Sequence, residues 1–138
     1  MIVEHTVLLV VQVVAAAFDL EPAMLLAVGY VESEWNLHAL GDYDPETKAP
    51  NSFGPMQLNR GGAGAGFPDD LLLNYAFNIF RGAQYLRECL DAYPKDIRLG
   101  LASYRQGIEG VSKNGWGPSA EYIQKIMDAY QLYKKDGY

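Results

Sequence analysis

Sulfur and imidazole are scarce in this chain of 138 residues, which holds one cysteine, Cys89, and two histidines, His5 and His38. A lone thiol excludes an intrachain disulfide, and one thiol with two distant imidazoles offers no zinc-type ligand set. Positive charge is also short: eleven Lys and Arg face seventeen Asp and Glu, for a net charge of −6. That sign is wrong for a surface that tracks phosphates by releasing counterions, so nucleic acid is not an expected partner. A membrane-length apolar run is missing as well. Val7 to Phe18 is strongly apolar, but it is twelve residues with Gln12 inside it, against the roughly 20 that cross a bilayer. Glu4 and His5 precede it where an export signal carries Lys or Arg, so a buried core helix is expected and no membrane partner.

What is present fits a single globular domain over residues 1–138. Hydrophobic residues make up 49% and charged residues 20%, a balance that buries one core and excludes disorder. Apolar spacing predicts helices throughout. One follows Pro22, whose missing amide suits a first helical position, and runs to about Trp35. A long third helix covers Leu73 to the residues before Pro94, a short fourth Ile97 to Tyr104, and a fifth Pro118 to Lys135, with Tyr122, Ile126 and Tyr133 inward. Residues 41–66, rich in Gly, Pro, Asn and Asp, read as loop or short strands. The expected class is mainly α with one long irregular segment, the kind of segment that usually carries function.

Glu32 stands out first. At 100° per residue, Leu25, Val28 and Gly29 lie within about 60° of it, so its carboxylate leaves the helix beside apolar neighbours while Glu34 points the other way. Lost hydration raises a carboxyl pKa, which makes Glu32 a candidate general acid. Gly29, one turn earlier, leaves space beside it for a ligand. Two further segments carry polar groups in apolar settings. Ser52-Phe53-Gly54-Pro55-Met56-Gln57-Leu58 buries the amide of Gln57, which needs a partner such as a substrate hydroxyl or acetamido group. Ala102-Ser103-Tyr104 ends a helix before Gly107 with a phenol able to donate to a carboxylate across a groove.

Taken in order, Glu32-Ser33-x-Trp35-Asn36, Gly54-Pro55-Met56-Gln57 and Ala102-Ser103-Tyr104 resemble the three signature motifs of the soluble lytic transglycosylases and the goose-type lysozymes. Leu20 to Val28 is similar to the family's helix entry, and Asn78-Ile79, Gly82-Ala83 and Tyr85-Leu86 to its central helix. The resemblance implies a lysozyme-like fold and cleavage of the β-1,4 bond between N-acetylmuramic acid and N-acetylglucosamine in peptidoglycan, with no cofactor. It implies Glu32 as the acid, Tyr104 as the group that orients it, and a sugar groove lined by Ser52, Phe53, Met56 and Gln57. In a transglycosylase the sugar's own 6-hydroxyl closes a 1,6-anhydro ring. A hydrolase needs a second carboxylate to activate water; Asp42 is the better candidate and Asp44 the other, while Asn59, after the second motif, is an amide that cannot act as a base.

The third motif departs from the pattern, because Arg105 and Gln106 stand where the family has Asn and Ala. Arg105 is retained as a groove residue, and Trp116, in a Gly-rich turn, as one that stacks on sugar. Asp42 to Glu46 has the alternating acids of a calcium loop but lacks its glycine and its final glutamate, so no metal is expected. His38 and Cys89 read as surface and core. Lys113, Lys125 and Arg105 form the local cationic patch able to attract an anionic wall. A glycan-binding or structural module without turnover, and chitin as substrate, are the competing readings. No obligate protein partner is expected, and delivery as a phage lysis or virion enzyme fits the absent signal.

Overall fold

In a computed structural model, Val3–Tyr138 are described. Seven α-helices, one 3₁₀ turn and a small sheet follow in the order α1 (His5–Ala17), α2 (Pro22–Ser33), β1 (Leu40–Gly41), β2 (Ser52–Phe53), β3 (Leu58–Asn59), α3 (Asp69–Leu72), α4 (Tyr75–Ala92), α5 (Ile97–Gln106), α6 (Ile108–Asn114), the 3₁₀ turn Gly117–Ser119, and α7 (Ala120–Lys135). The expected mainly helical class with one irregular segment is what forms. α7 lies along α2, while α4 packs against α1 and α5.

The sequence places Pro22 at the start of α2, as its geometry favours. From Ala23 to Gly29 every residue of that helix is buried, so it forms the central strut. Each fully buried Leu or Val contributes about 1.5–3 kcal/mol of transfer free energy. α2 stops at Ser33, two residues earlier than the apolar pattern predicts, because Glu34 and Trp35 both take left-handed backbone (φ 53° and 60°). This turn swings Trp35 back beneath the helix, where its indole nitrogen donates to the Leu26 carbonyl at 2.9 Å. The indole fills the hollow at Gly29, and a Cβ there would overlap its ring. The space expected beside Glu32 for a ligand is therefore occupied by Trp35, which is core.

α1 buries Val7, Val11, Val14 and Ala15 on one face, so the expected core helix forms, but Leu9 and Val13 point outward. Among the described residues, no helix is long and apolar enough to cross a membrane. The third predicted helix divides: Asn74 accepts from the Phe77 amide at 3.0 Å, and this cap starts α4 afresh after α3. The fifth predicted helix also starts late, at Ala120, because Gly117–Ser119 form the 3₁₀ turn. α6 has no counterpart among the predicted elements, since Gly107, Gly110 and Gly115 dilute its apolar pattern. Ile108 and Val111 nonetheless pack on the core, and the Tyr93 hydroxyl donates to the Ile108 carbonyl at 3.0 Å.

The irregular segment is pinned by a three-stranded antiparallel sheet in the order β1-β2-β3. Ser52 faces Gly41 on one side and Asn59 on the other. This register gathers Asp42, Ser52 and Asn59 at one edge of the groove described next.

Candidate active site

The groove opens between the C-terminal end of α2, the sheet, and the facing ends of α5 and α7. Its main cavity, about 590 Å³, is lined by Glu32, Asp42, Ser52, Gln57, Tyr104 and Arg105, with Asn59, Tyr122 and Lys125 among the remaining walls. A second cavity of about 290 Å³ shares Gln57, Asn59, Tyr104 and Arg105 with it and extends past Tyr85 toward Gly61 and Gly107. The two adjoin through these shared walls and together make up the trough.

Glu32 sits at the end of α2, partly buried. Burial lifts its carboxyl from the ordinary 4.5 to about 7; the Asp42 charge adds to the rise, and the Tyr122 hydroxyl and the Arg105 cation oppose it. The carboxyl thus holds a proton in the acid range and gives it up around pH 7. The Tyr122 hydroxyl donates directly to Glu32 Oε2. Burial and the adjacent carboxylate push the Tyr122 phenol well above 10, so it stays a donor. The Arg105 guanidinium lies 5.4 Å over the Tyr122 ring, a cation–π contact that seats the cation beside the acid.

The group that contacts Glu32 is therefore Tyr122 and not Tyr104. Tyr104 lines the trough, but its hydroxyl donates to the Met56 carbonyl at 2.7 Å. That bond belongs to a set that builds the Phe53–Met56 turn. Asn78, fully buried, donates to the carbonyls of Phe53 and Leu72 at 2.8 Å each and accepts from the Met56 amide at 2.8 Å. Ser33 donates to the Pro55 carbonyl at 2.8 Å. The backbone of a buried loop must satisfy its polar groups, and here three side chains from three helices do so.

Gln57 follows that turn with left-handed backbone (φ 51°), and its amide nitrogen donates to the Gly54 carbonyl at 2.9 Å. Its oxygen passes over Gly41, where a Cβ would collide with it. This close approach aims the amide into the trough. Asp42 also has left-handed backbone (φ 50°) and accepts from the Ser52 hydroxyl. Asn59 donates to the Ser52 oxygen at 3.1 Å, completing a chain of three across the sheet. Left-handed conformation costs a non-glycine residue roughly 1–2 kcal/mol, and two of the trough's polar residues carry that cost.

Several expected groove residues lie elsewhere. Met56 is fully buried against Gly82, and Phe53 is buried beneath the Arg60 guanidinium, 4.8 Å from its ring. Both alternate with their groove-facing neighbours Gln57 and Ser52, and their apolar side chains turn to the core. Trp116 stacks under Arg98 at 4.6 Å. It lines neither cavity, although the Gly115 carbonyl beside it accepts from Gln106 at the C-terminal end of α5. Asp44 spends its carboxylate capping its own turn, accepting from the amides of Glu46 and Thr47 at 2.8 Å. Gln106 accepts from Ser119 at 2.5 Å and donates to the Gly115 carbonyl at 3.2 Å, which ties α5 to the turn before α7. Of the cationic patch, Arg105 and Lys125 reach the trough and Lys113 does not.

The missed residue of greatest consequence is Tyr122. Its signal in the sequence is faint: an inward tyrosine has a hydroxyl that needs a partner, but nothing local points to a carboxylate ninety residues away.

Comparison with known proteins places the chain in a family. Residues 10–127 match the family model described as the transglycosylase SLT domain. The chain is also 36% identical over 102 residues, 67% of its length, to the membrane-bound lytic murein transglycosylase F of Cellvibrio japonicus (strain Ueda107). It corresponds to 18% of that relative's length. The family match spans α2, the sheet, α5 and the first half of α7, the elements that wall the trough, and the chain belongs to the transglycosylase SLT domain family, with its lysozyme-like helical fold.

Proposed function

We propose that this chain cleaves the β-1,4 bond between N-acetylmuramic acid and N-acetylglucosamine in peptidoglycan, acting on the bacterial cell wall as a lytic transglycosylase. The observation that carries the reading is a partly buried Glu32 carboxyl in a sugar-sized trough, protonated up to about pH 7. An alkoxide is a poor leaving group, so the glycosidic oxygen needs a proton as its bond to C1 breaks. Glu32 supplies that proton, a contribution of about 10²–10⁴ in rate. The ionised Glu32, held by the Tyr122 hydroxyl, then takes the proton of the muramic 6-hydroxyl while that oxygen bonds to C1. The ring closes as a 1,6-anhydro end and the acid is restored. Gln57, Asn59 and Arg105 offer the hydrogen bonds that position sugar, and Tyr104 a ring wall beside Tyr85.

A hydrolytic reading is favoured by one observation: Asp42 lines the same cavity and its charge acts on Glu32. In that case Asp42 activates water and the product has a reducing end. The two products differ by one water, so mass spectrometry of sugars released from purified sacculi separates them. Glu32→Gln should abolish release in either case. Asp42→Asn should leave release of the anhydro product in place; a reducing-end product from the native protein that is lost in this variant would convert the assignment to a hydrolase. Binding to sacculi with nothing released by the native protein would reduce the chain to a glycan-binding module.

A further inference from the structure

We infer that Arg105 selects glycan strands whose muramic acid bears a free lactyl carboxylate, strands from which the stem peptide has already been removed. The inference rests on the glycan-cleaving function proposed above and names the chemical form of the strand that it takes. The chain has five arginines. Arg60, Arg81, Arg87 and Arg98 each pair with a carboxylate, that of Asp69, Glu88, Asp91 and Asp96 in turn. Arg105 pairs with none among the described residues, and it lines both cavities of the trough. Lys125, the other cation of the main cavity, is engaged by Glu121 at 3.6 Å. The guanidinium left without an anion is therefore the one that faces substrate.

The cation stands exposed on the trough wall, 5.4 Å over the Tyr122 ring. A ring face holds a guanidinium in place and leaves its edge of N–H donors open. That edge fits a carboxylate through two parallel bonds. Hydroxyl and acetamido oxygens also accept from a guanidinium, but its charge adds strength only against an anion, and the neutral amides of Gln57 and Asn59 stand in the same cavities. The charge also works against a neutral strand. Positive charge develops at C1 as the glycosidic bond breaks, and an uncompensated cation nearby raises that barrier. Arg105 is close enough to act on the Glu32 carboxyl, so it acts on the reacting centre beside it as well. A carboxylate on the substrate cancels the opposition and gains the pair.

Muramic acid supplies such a group at the matching distance. Its lactyl ether, on C3, ends in a neutral amide while the stem is attached and in an ionised carboxylate once that amide is hydrolysed. One sugar ring separates the lactyl group from the bond being cut at C1. One aromatic ring, that of Tyr122, separates Arg105 from Glu32. The nearest carboxylate of an attached stem stands on its second residue, about 7 Å further out at 3.3–3.6 Å per residue. The family pattern has Asn at this position, a neutral donor with no charge to tell the two lactyl forms apart. An amide hydrolysis that adds water across the bond between lactyl group and stem must therefore precede the cut made here.

The test uses three forms of one glycan preparation: stem-bearing strands, strands stripped by an amidase, and stripped strands whose lactyl carboxylate is converted to its methylamide. The methylamide separates the effect of charge from the easier access that loss of the stem brings. The native protein should show kcat/KM roughly 5- to 10-fold higher on the carboxylate form than on the methylamide, the difference between a charge-assisted and a neutral hydrogen bond. Stem-bearing strands should be cut more slowly than the carboxylate form. Arg105→Gln should bring the carboxylate-to-methylamide ratio to unity, whatever its absolute rate. A native ratio of unity, a ratio that survives Arg105→Gln, or stem-bearing strands cut as fast as the carboxylate form would overturn the inference and leave the glycan-cleaving function standing. Should the native protein cut none of the three, that function falls and binding decides the site: N-acetylmuramic acid should shift the side-chain Nε–H resonance of Arg105 at lower concentration than its methylamide does. Equal shifts from both, or none at millimolar sugar, refute it.

Discussion

Replacing Glu32 by Gln should abolish turnover and at the same time stabilise the fold at alkaline pH. Burial raises the Glu32 carboxyl from 4.5 to about 7. The unfolded chain sheds this proton near 4.5, so between 4.5 and about 7 the native state binds a proton that the unfolded state does not. For a raised carboxyl, the contribution is fully present below 4.5 and is lost as pH climbs to about 7. The loss is ~1.4 kcal/mol for each pH unit in that window, or about 3 kcal/mol across it. The carboxyl opens on the wet side toward the trough, which screens part of this and leaves about 2–3 kcal/mol. Gln keeps the shape and an oxygen for the Tyr122 hydroxyl but has no charge to desolvate. Urea unfolding at pH 4, 6 and 8 measures the difference between the two proteins, in which all other acids cancel. The variant should match wild type at pH 4 and exceed it by about 2–3 kcal/mol at pH 8, roughly 6–12 °C in Tm for a domain of this size. A wild type that is the more stable at pH 8, or a difference independent of pH, would refute the placement of a desolvated acid at this position.

Tyr122→Phe removes the donor that favours ionised Glu32, so the alkaline limb of the pH–activity profile should move upward by up to about one pH unit as kcat drops about tenfold; a limb that moves toward acid contradicts the contact. Tyr104→Phe strands the Met56 carbonyl and should cost about 1–3 kcal/mol in urea unfolding while leaving the position of that limb unchanged. Gly29→Ala forces a methyl into the Trp35 indole and should lower stability by about 1–3 kcal/mol; calorimetry showing a neutral or stabilised variant would mean that Trp35 is not seated there.

The desolvated carboxyl of Glu32 was legible in the sequence because its signal is local. Leu25, Val28 and Gly29 share a helix face with Glu32, and burial of that face follows from the period alone. Gln57 was legible for the same reason, as an amide within a buried stretch. The partner of Glu32 was not, since the resemblance points to Tyr104 and only the packing of α7 along α2 brings Tyr122 to the carboxyl. Trp116 was expected in the groove because a Gly-rich turn reads as open, but its ring stacks on Arg98 and lines neither cavity, which depends on nonlocal packing. The charge pattern around residues 42–46 fixed a turn through Asp44, and the distinction between Asp42 and Asp44 emerged only from the sheet register that sets Asp42 against Ser52.

The three motif segments share a division of labour that no single segment reveals. Each contains a group committed to the Phe53–Met56 turn: Ser33 donates to Pro55, Met56 supplies the backbone amide held by Asn78, and Tyr104 donates to the Met56 carbonyl. The residue beside each such tie faces the trough, namely Glu32, Gln57 and Arg105. The turn therefore acts as the common reference that fixes three trough-facing side chains from α2, the β2–β3 turn and α5 relative to one another. Misplacing a reacting group by about 1 Å costs as much as about 100-fold in rate, so these ties should govern the proposed activity, Ser33 and Asn78 through position alone. Losing a tie couples the two quantities, lowering stability and turnover together, because the turn and every side chain it positions relax at once. Losing a trough-facing neighbour separates them, removing turnover while stability holds or, at Glu32, rises.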